Sequence, residues 1–92
     1  MMFQPGQILD RRYRIEEFLG GGGFAYVYRA FDQVHQRQVA LKTNRPESKE
    51  QRQALFEEFK QLRNLGIERI PQMEDLIEVD QQICLVLELY PR

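Results

Sequence analysis

The sequence has little of what characterises several classes of protein: its 92 residues include one cysteine, one histidine and no tryptophan. The single cysteine, Cys84, allows neither a disulfide framework nor a cluster of thiolate metal ligands, and it favours a reducing, cytoplasmic location. The formal net charge of −1 gives no field that would attract nucleic acid or an anionic membrane. The longest apolar run, residues 83–87, is too short to cross a bilayer.

What the sequence does contain is the composition of one small globular domain. Hydrophobic residues make up 42% and charged residues 29%, both ordinary values for such domains. A chain of this length buries about 60–65% of its unfolded surface, which is enough for one modest core. Residues 1–10 carry no basic segment followed by an apolar run, so we expect no secretory signal peptide.

Three stretches in the first half of the chain alternate apolar and polar residues, as half-buried strands do. They are residues 13–18, 25–32 and 38–43, and they predict a three-stranded meander. Its first turn contains the four consecutive glycines at 20–23, and its second is a polar turn in which His35 is expected at the surface. The polar residues 1–12 are expected to form a loosely held arm.

The second half predicts one helix and two further strands. Ser48 and Gln51 fit a capping box, and the helix should run from about Lys49 to Leu65, with Gly66 in the position of a C-cap. Its predicted apolar face consists of Leu55, Phe56, Phe59, Leu62 and Leu65.

Residues 73–79 and 82–89 are the predicted fourth and fifth strands, joined by a turn at Asp80-Gln81. Residues 83–87 are apolar on both faces, so the last strand should lie inside a sheet. The predicted fold class is therefore α+β, with a five-stranded antiparallel sheet and one helix.

The glycine run and the lysine at 42 together predict a site for a polyphosphate. Glycines let backbone N–H groups approach anionic oxygens closely. A dinucleotide-binding fold would need a helix directly after the loop, whereas residues 26–31 have the pattern of a strand. A Walker loop would need Gly-Lys-Ser/Thr, which does not follow. The remaining alternative is a plain hairpin turn, for which four glycines are unnecessary and entropically costly.

The chain resembles the N-terminal lobe of protein kinases, in particular bacterial serine/threonine kinases of the eukaryotic type. Their glycine-rich loop is similar to Leu19-Gly20-x-Gly22-x-Phe24-Ala25-x-Val27-Tyr28, and their third-strand lysine motif to Val39-Ala40-Leu41-Lys42. Their αC helix is similar to the run that contains Glu58, Leu62 and Leu65, and their fifth strand to residues 83–90. The resemblance divides the chain into an N-terminal arm (1–12), an ATP-binding N-lobe (13–90) and the start of the hinge (91–92).

This resemblance implies that Lys42 contacts the α- and β-phosphates of ATP and pairs with Glu58. Glu57 is the competing candidate, but Glu58 lies closer to the apolar face of the helix. Ala25 stands where the family pattern has a third glycine, which is expected to reduce flexibility at one position without inactivating the loop. The other implied contacts are the following: Gly20, Gly21, Gly22, Gly23, Phe24 and Ala25 over the phosphates; Leu19, Val27 and Ala40 over the adenine; Leu87 as the gatekeeper; the Glu88 carbonyl and the Tyr90 N–H at the edge of the adenine.

The motifs that the family uses for chemistry, His-Arg-Asp and Asp-Phe-Gly, are absent from the 92 residues. The chain is therefore expected to be inactive alone, and the ligands for Mg²⁺ are expected from a C-lobe that acts on a protein substrate. Three interpretations stay open: a lobe of a longer kinase, a free-standing regulatory or docking half that binds another polypeptide, and a decayed lobe kept for interactions. Exposure of the adenine-facing residues Leu19, Val27, Ala40 and Leu87 also predicts a homodimer at high concentration.

Overall fold

The computed structural model describes residues 3–21, 25–45, 48–65 and 73–89. These ranges contain six strands and one helix, and the predicted α+β class is confirmed. The elements are β1 (Ile8–Leu9), β2 (Tyr13–Gly21), β3 (Tyr26–Asp32), β4 (Arg37–Thr43), α1 (Lys49–Leu65), β5 (Met73–Val79) and β6 (Gln82–Glu88). The helix α1 begins and ends at the residues that the sequence predicts.

All strands belong to one antiparallel sheet in the order β1-β2-β3-β4-β6-β5. Strand β6 thus lies between β4 and β5, which confirms the prediction drawn from its apolar run. All five residues from Gln82 to Val86 are buried. A central strand is covered on both faces, and this is why it lacks polar alternation.

The two faces of the sheet carry different clusters of side chains. We call the outer face the one on which Tyr28, Leu41 and Val86 pack in the larger buried cluster. The inner face is the opposite one, where Leu85 packs with Leu55 of α1 in a smaller cluster. Helix α1 thus covers part of the inner face and, because it follows β4 directly, lies close to the lysine of that strand.

The N-terminal segment differs from the sequence prediction of a loosely held arm and a five-stranded sheet. Strand β1 adds a sixth strand beside β2, and Ile15 exchanges backbone hydrogen bonds of 2.8 Å with Gly6 and Gln7. Phe3 and Leu9 are buried in the outer-face cluster, and the Phe3 N–H donates to the Tyr28 hydroxyl at 3.2 Å. Two isolated apolar residues show no periodicity, so the sequence pattern gave no sign of this packing.

Replacing Phe3 by alanine should therefore lower the free energy of unfolding by about 2 kcal/mol, the value of burying one aromatic side chain. The ring of Phe3 lies 5.3 Å from that of Tyr28, centroid to centroid. Ile8→Ala is the matched control, because Ile8 is 50% exposed. Urea unfolding of the two variants measures the difference, and equal stabilities would show that the segment is not held by Phe3.

The start of α1 is only partly the predicted capping box. The Ser48 hydroxyl accepts from the Gln51 N–H at 3.1 Å, as predicted. The Gln51 side chain, however, accepts from the N–H of Arg45 at 2.9 Å rather than from that of Ser48. Phe56, predicted on the apolar face, is 38% exposed and has the Lys60 amine 5.0 Å from its ring centroid. Gly66 and the side chains of Phe59, Leu62 and Leu65 lie outside the described part of the chain.

Among the described residues, no helix has both the length and the apolar character that crossing a membrane requires.

Candidate functional site

An ion pair between β4 and α1 lies on the inner face of the sheet. The Lys42 amine donates to both carboxylate oxygens of Glu58, at 3.1 and 3.0 Å. The side chains are 31% and 37% exposed, so solvent reaches the pair and screens its attraction. The contact joins a strand and a helix through two residues that are 16 positions apart in the sequence.

Glu57, the competing candidate from the sequence, does not contact Lys42 among the described interactions. Its carboxylate accepts from the Gln53 side chain at 3.0 Å and pairs with Lys60 at 3.5 Å, both on the exposed side of α1. The geometry therefore places Glu58, and not Glu57, beside the lysine.

Apolar residues surround Lys42 on the same face of the sheet. Lys42 lies opposite Val27 of β3 on one side, and Ala40, two residues earlier on β4, lies opposite Leu87 of β6 on the other. These three apolar side chains are half-buried. Leu19 is 45% exposed at a register shift in β2. The predicted adenine-facing residues thus lie along neighbouring strands, with an open apolar surface between them.

Glu88 is the last residue of β6 and follows Leu87 directly. Because successive side chains of a strand point to opposite faces, the Glu88 side chain lies on the outer face. It lies two residues after Val86, which is in the outer-face cluster. One carboxylate oxygen is buried and has no hydrogen-bond partner among the described residues. Only the backbone of Glu88 can therefore face the same side as Lys42, as the sequence interpretation requires.

The glycines on the two sides of the described gap have different surroundings. Gly20 has a φ of +155°, and a Cβ there would meet nothing within 4 Å, so this position combines unusual backbone with open space. Gly21 is crowded, because a Cβ would lie 2.7 Å from the Tyr26 ring. Ala25 is buried and packs in the inner-face cluster with Leu55 of α1. Gly22, Gly23, Phe24 and Tyr90, which belong to the predicted site, lie outside the described residues.

The sequence interpretation missed a charged cluster at the far end of β3 and β4. The Arg12 guanidinium donates to both oxygens of the buried Asp32 carboxylate at 2.8 Å. The N–H groups of Val34 and His35 also donate to it, at 2.9 and 3.2 Å. Arg12 holds the pKa of Asp32 far below its usual range, against the opposing effect of burial. His35 is at the surface as predicted, yet its ring contacts this carboxylate at 3.1 Å.

Asp32, His35 and Glu74 bring three metal-ligating atoms, two carboxylate oxygens and one imidazole nitrogen, within 4.8 Å of one another, but their surroundings do not favour a cation. Both carboxylates already contact guanidinium groups: Asp32 contacts Arg12, and Glu74 contacts Arg37. Two fixed positive charges beside the ligands would repel a cation. The cluster is better explained as a set of ion pairs that fixes the turn at 33–36.

Cys84 is fully buried in β6, and burial raises the pKa of its thiol to about 11. A neutral thiol in the core is a small apolar side chain rather than a nucleophile, in agreement with the sequence.

The lysine on β4, the carboxylate on α1 and the glycines at the end of β2, in the hairpin that β2 forms with β3 (the glycine hairpin), all lie within a match to a known family. The sequence-family model described as the protein kinase domain matches residues 13–92. This chain belongs to the protein kinase family. The kinase chain is 37% identical over 86 residues to the probable serine/threonine-protein kinase YbdM of Bacillus subtilis, covering 90% of this chain and 34% of that protein.

A second relative, the serine/threonine-protein kinase tousled-like 2 of Homo sapiens, is 35% identical over 94 residues, covering 94% of the kinase chain and 12% of the relative. A crystal structure of a kinase domain superposes with a TM-score of 0.86 and 17% identity, over 96% of this chain and 27% of that one. The predicted N-lobe fold and the resemblance to serine/threonine kinases are thus confirmed, with six strands in place of five. The kinase chain spans about a third or less of each of these proteins.

Proposed function

We propose that this chain is the ATP-binding small lobe of a serine/threonine protein kinase. The observation that carries the proposal is the Lys42–Glu58 pair, with contacts of 3.0 and 3.1 Å, on an open apolar surface beside a glycine hairpin. A lysine in an apolar strand needs an anionic partner, and a polyphosphate carries more negative charge than one carboxylate. Glu58 keeps the amine in place while the phosphates arrive.

The adenine of ATP would lie on the surface formed by Val27, Ala40 and Leu87. Their half-buried side chains suit a flat apolar ring, and the small side chain of Ala40 leaves room for it. The Glu88 carbonyl and the Tyr90 N–H would meet the edge of the ring, and Leu19 would cover it. Gly20 would let the backbone of the hairpin approach the phosphates closely, because glycine has no Cβ and no protein atom lies within 4 Å of the place where a Cβ would be.

These 92 residues do not contain the motifs that the family uses for phosphate transfer. Family members bind Mg²⁺ through motifs that this sequence lacks, and Mg²⁺ neutralises the charge that develops on the phosphates. We therefore expect the chain alone to bind nucleotide weakly and to transfer no phosphate. A large lobe, in the same polypeptide or in another, would supply the metal ligands and the site for a protein hydroxyl.

An amide NMR titration with Mg-ATP tests the proposal, because it detects weak binding. The expected shifts fall on Gly20, Val27, Lys42 and Glu88, and the amides around Asp32 serve as the internal control at the far end of the sheet. Magnesium tripolyphosphate should move Lys42 but leave the adenine-facing Val27 unchanged. If ATP moved no resonance at millimolar concentration, nucleotide binding by this lobe would be excluded.

The exposed apolar surface also supports a second candidate function, docking on another polypeptide. Leu19 on β2 is 45% exposed, and Val27 and Ala40 on the next two strands of the sheet are half-buried. Open apolar surface tends to find a partner. We expect the chain to self-associate near millimolar concentration through this surface. Sedimentation should show Leu19→Gln to be more monomeric than the wild type, and Val34→Gln, which changes a side chain 63% exposed elsewhere, to be unaffected. A strictly monomeric wild type would contradict the expectation.

A further inference from the structure

Tyr26 supports the base of the glycine hairpin from the outer face of the sheet. It lies opposite Gly21, and its ring occupies the space that a side chain on Gly21 would need, since a Cβ there would be 2.7 Å from one ring carbon and 3.2 Å from the next. The ring of Phe18 meets it edge-on, with centroids 5.9 Å apart. Phe18 also meets the ring of Tyr28 at 5.3 Å, so Tyr26 is one of two aromatic rings through which the strand that leaves the hairpin packs against the strand that enters it.

Arg45 joins this ring to helix α1. Its guanidinium carbon lies 5.4 Å from the centroid of the Tyr26 ring, within the range of a cation–π contact. Its backbone N–H donates to the Gln51 side chain on α1 at 2.9 Å, and its carbonyl accepts from the Ser48 N–H at 3.0 Å. Arg45 therefore contacts the hairpin with its side chain and the first turn of the helix with its backbone.

A second contact joins the same two elements on the inner face. Ala25, the residue before Tyr26, is 8% exposed and packs with Leu55 of α1. Successive residues of a strand point to opposite faces, so Ala25 and Tyr26 hold the start of β3 to α1 from both sides. The same helix carries Glu58, whose carboxylate contacts Lys42.

We infer that Tyr26 and Arg45 are positioning residues that form a tether between the glycine hairpin and helix α1. Through the tether, the position of the hairpin over the phosphates and the position of Glu58 beside Lys42 depend on each other. The nucleotide part of this inference rests on the proposed function, whereas the tether itself is a property of the free chain. An exposed cation–π contact is worth about a two- to five-fold change in an equilibrium.

Amide hydrogen exchange without nucleotide tests the tether alone. Arg45→Ala should speed exchange about two- to five-fold at Tyr26 and Val27, and Arg45→Lys, which keeps a cation near the ring, should restore most of the protection. Arg52→Ala is the matched control, because Arg52 lies on α1 and pairs with the exposed Glu78 at 3.2 Å. Wild-type exchange at Tyr26 in Arg45→Ala would overturn the tether.

A double-variant comparison identifies the contact responsible. Tyr26→Leu should speed exchange at Val27 as Arg45→Ala does, and the two changes together should add little, because each removes the same contact. Tyr26→Phe keeps the ring and should resemble the wild type. Fully additive effects would show that the two side chains act independently, which would overturn the inference.

The dissociation constant for Mg-ATP, measured by the NMR titration, tests the positioning role. Arg45→Ala and Tyr26→Leu should each weaken binding about two- to five-fold. Tyr26→Leu leaves the charge unchanged, so an equal effect separates the tether from a direct attraction between Arg45 and phosphate. Unchanged affinity in both variants, with faster exchange, would overturn the positioning role. A wild type that binds no nucleotide would overturn the proposed function, and the exchange result would still decide the tether.

Discussion

Replacing Lys42 by methionine should weaken binding of Mg-ATP by about 10- to 100-fold, the value of a hydrogen bond to a charged group. The variant loses the amine that now contacts Glu58 at 3.0 Å and leaves that carboxylate facing the phosphates without a counter-charge. Methionine keeps most of the apolar stem of lysine, so the fold should remain. The NMR titration measures the loss as disappearance of the shifts at Gly20 and Val27.

Lys60→Met is the control for the change in net charge. Lys60 is 53% exposed and pairs with the exposed Glu57 on the solvent-exposed side of α1, so its replacement should leave the dissociation constant for Mg-ATP unchanged. Glu58→Gln should have a smaller effect than Lys42→Met, because the amine remains. Equal affinity of the Lys42→Met variant and the wild type would contradict the role proposed for this lysine.

Replacing Asp32 by asparagine should lower the free energy of unfolding by about 3 kcal/mol, the cost of leaving one partner of a buried ion pair alone. The Asp32 side chain is fully buried, whereas that of Arg12 is 24% exposed. Asparagine has the shape of aspartate but cannot accept two charge-assisted bonds from the guanidinium. The turn at 33–36 would lose its anchor as well.

The pH dependence gives a second test of the same carboxylate. Its pKa in the folded chain is depressed by Arg12, whereas in the unfolded chain it is about 3.9. The ionised group therefore stabilises the fold above about pH 4, and this contribution is lost as the pH falls further, toward the pKa of the folded state.

The stability difference between the wild type and Asp32→Asn should accordingly shrink below about pH 4. Asp10→Asn, in an exposed turn with φ of 54° at that position, is the control, because asparagine tolerates that conformation. A stability difference that stayed constant from neutral to acid pH would show that Asp32 does not act through its charge.

Periodic features of the fold were predictable, and isolated ones were not. The run at 83–87 indicated an interior strand because every residue in it is apolar, and a central strand is covered on both of its faces. Strand β1 was missed because Phe3 and Leu9 stand alone among polar residues and a Pro-Gly pair. Their burial depends on packing against the outer-face cluster, which forms only when the sheet is assembled.

The candidate site likewise contains residues that the sequence predicted and contacts that it did not. The resemblance indicated which lysine and which acid could meet, and the position of Glu58 near the apolar face of the helix favoured it over Glu57. The Asp32 cluster and the Tyr26–Arg45 contact escaped prediction because they join residues 20 and 19 positions apart through side chains without any periodic pattern. Such contacts follow from the register of strands and from the path of a loop, which no local pattern specifies.

The edges of the sheet determine how this chain can meet a second copy of itself. One edge is β1, only two residues long, which offers few free backbone groups for pairing. The other edge is β5, where three of the seven residues are acidic: Glu74, Asp75 and Glu78. Two such edges would bring like charges together, a common protection against sheet extension and fibril growth. Crowding should therefore produce discrete pairs through the inner face rather than open-ended polymers.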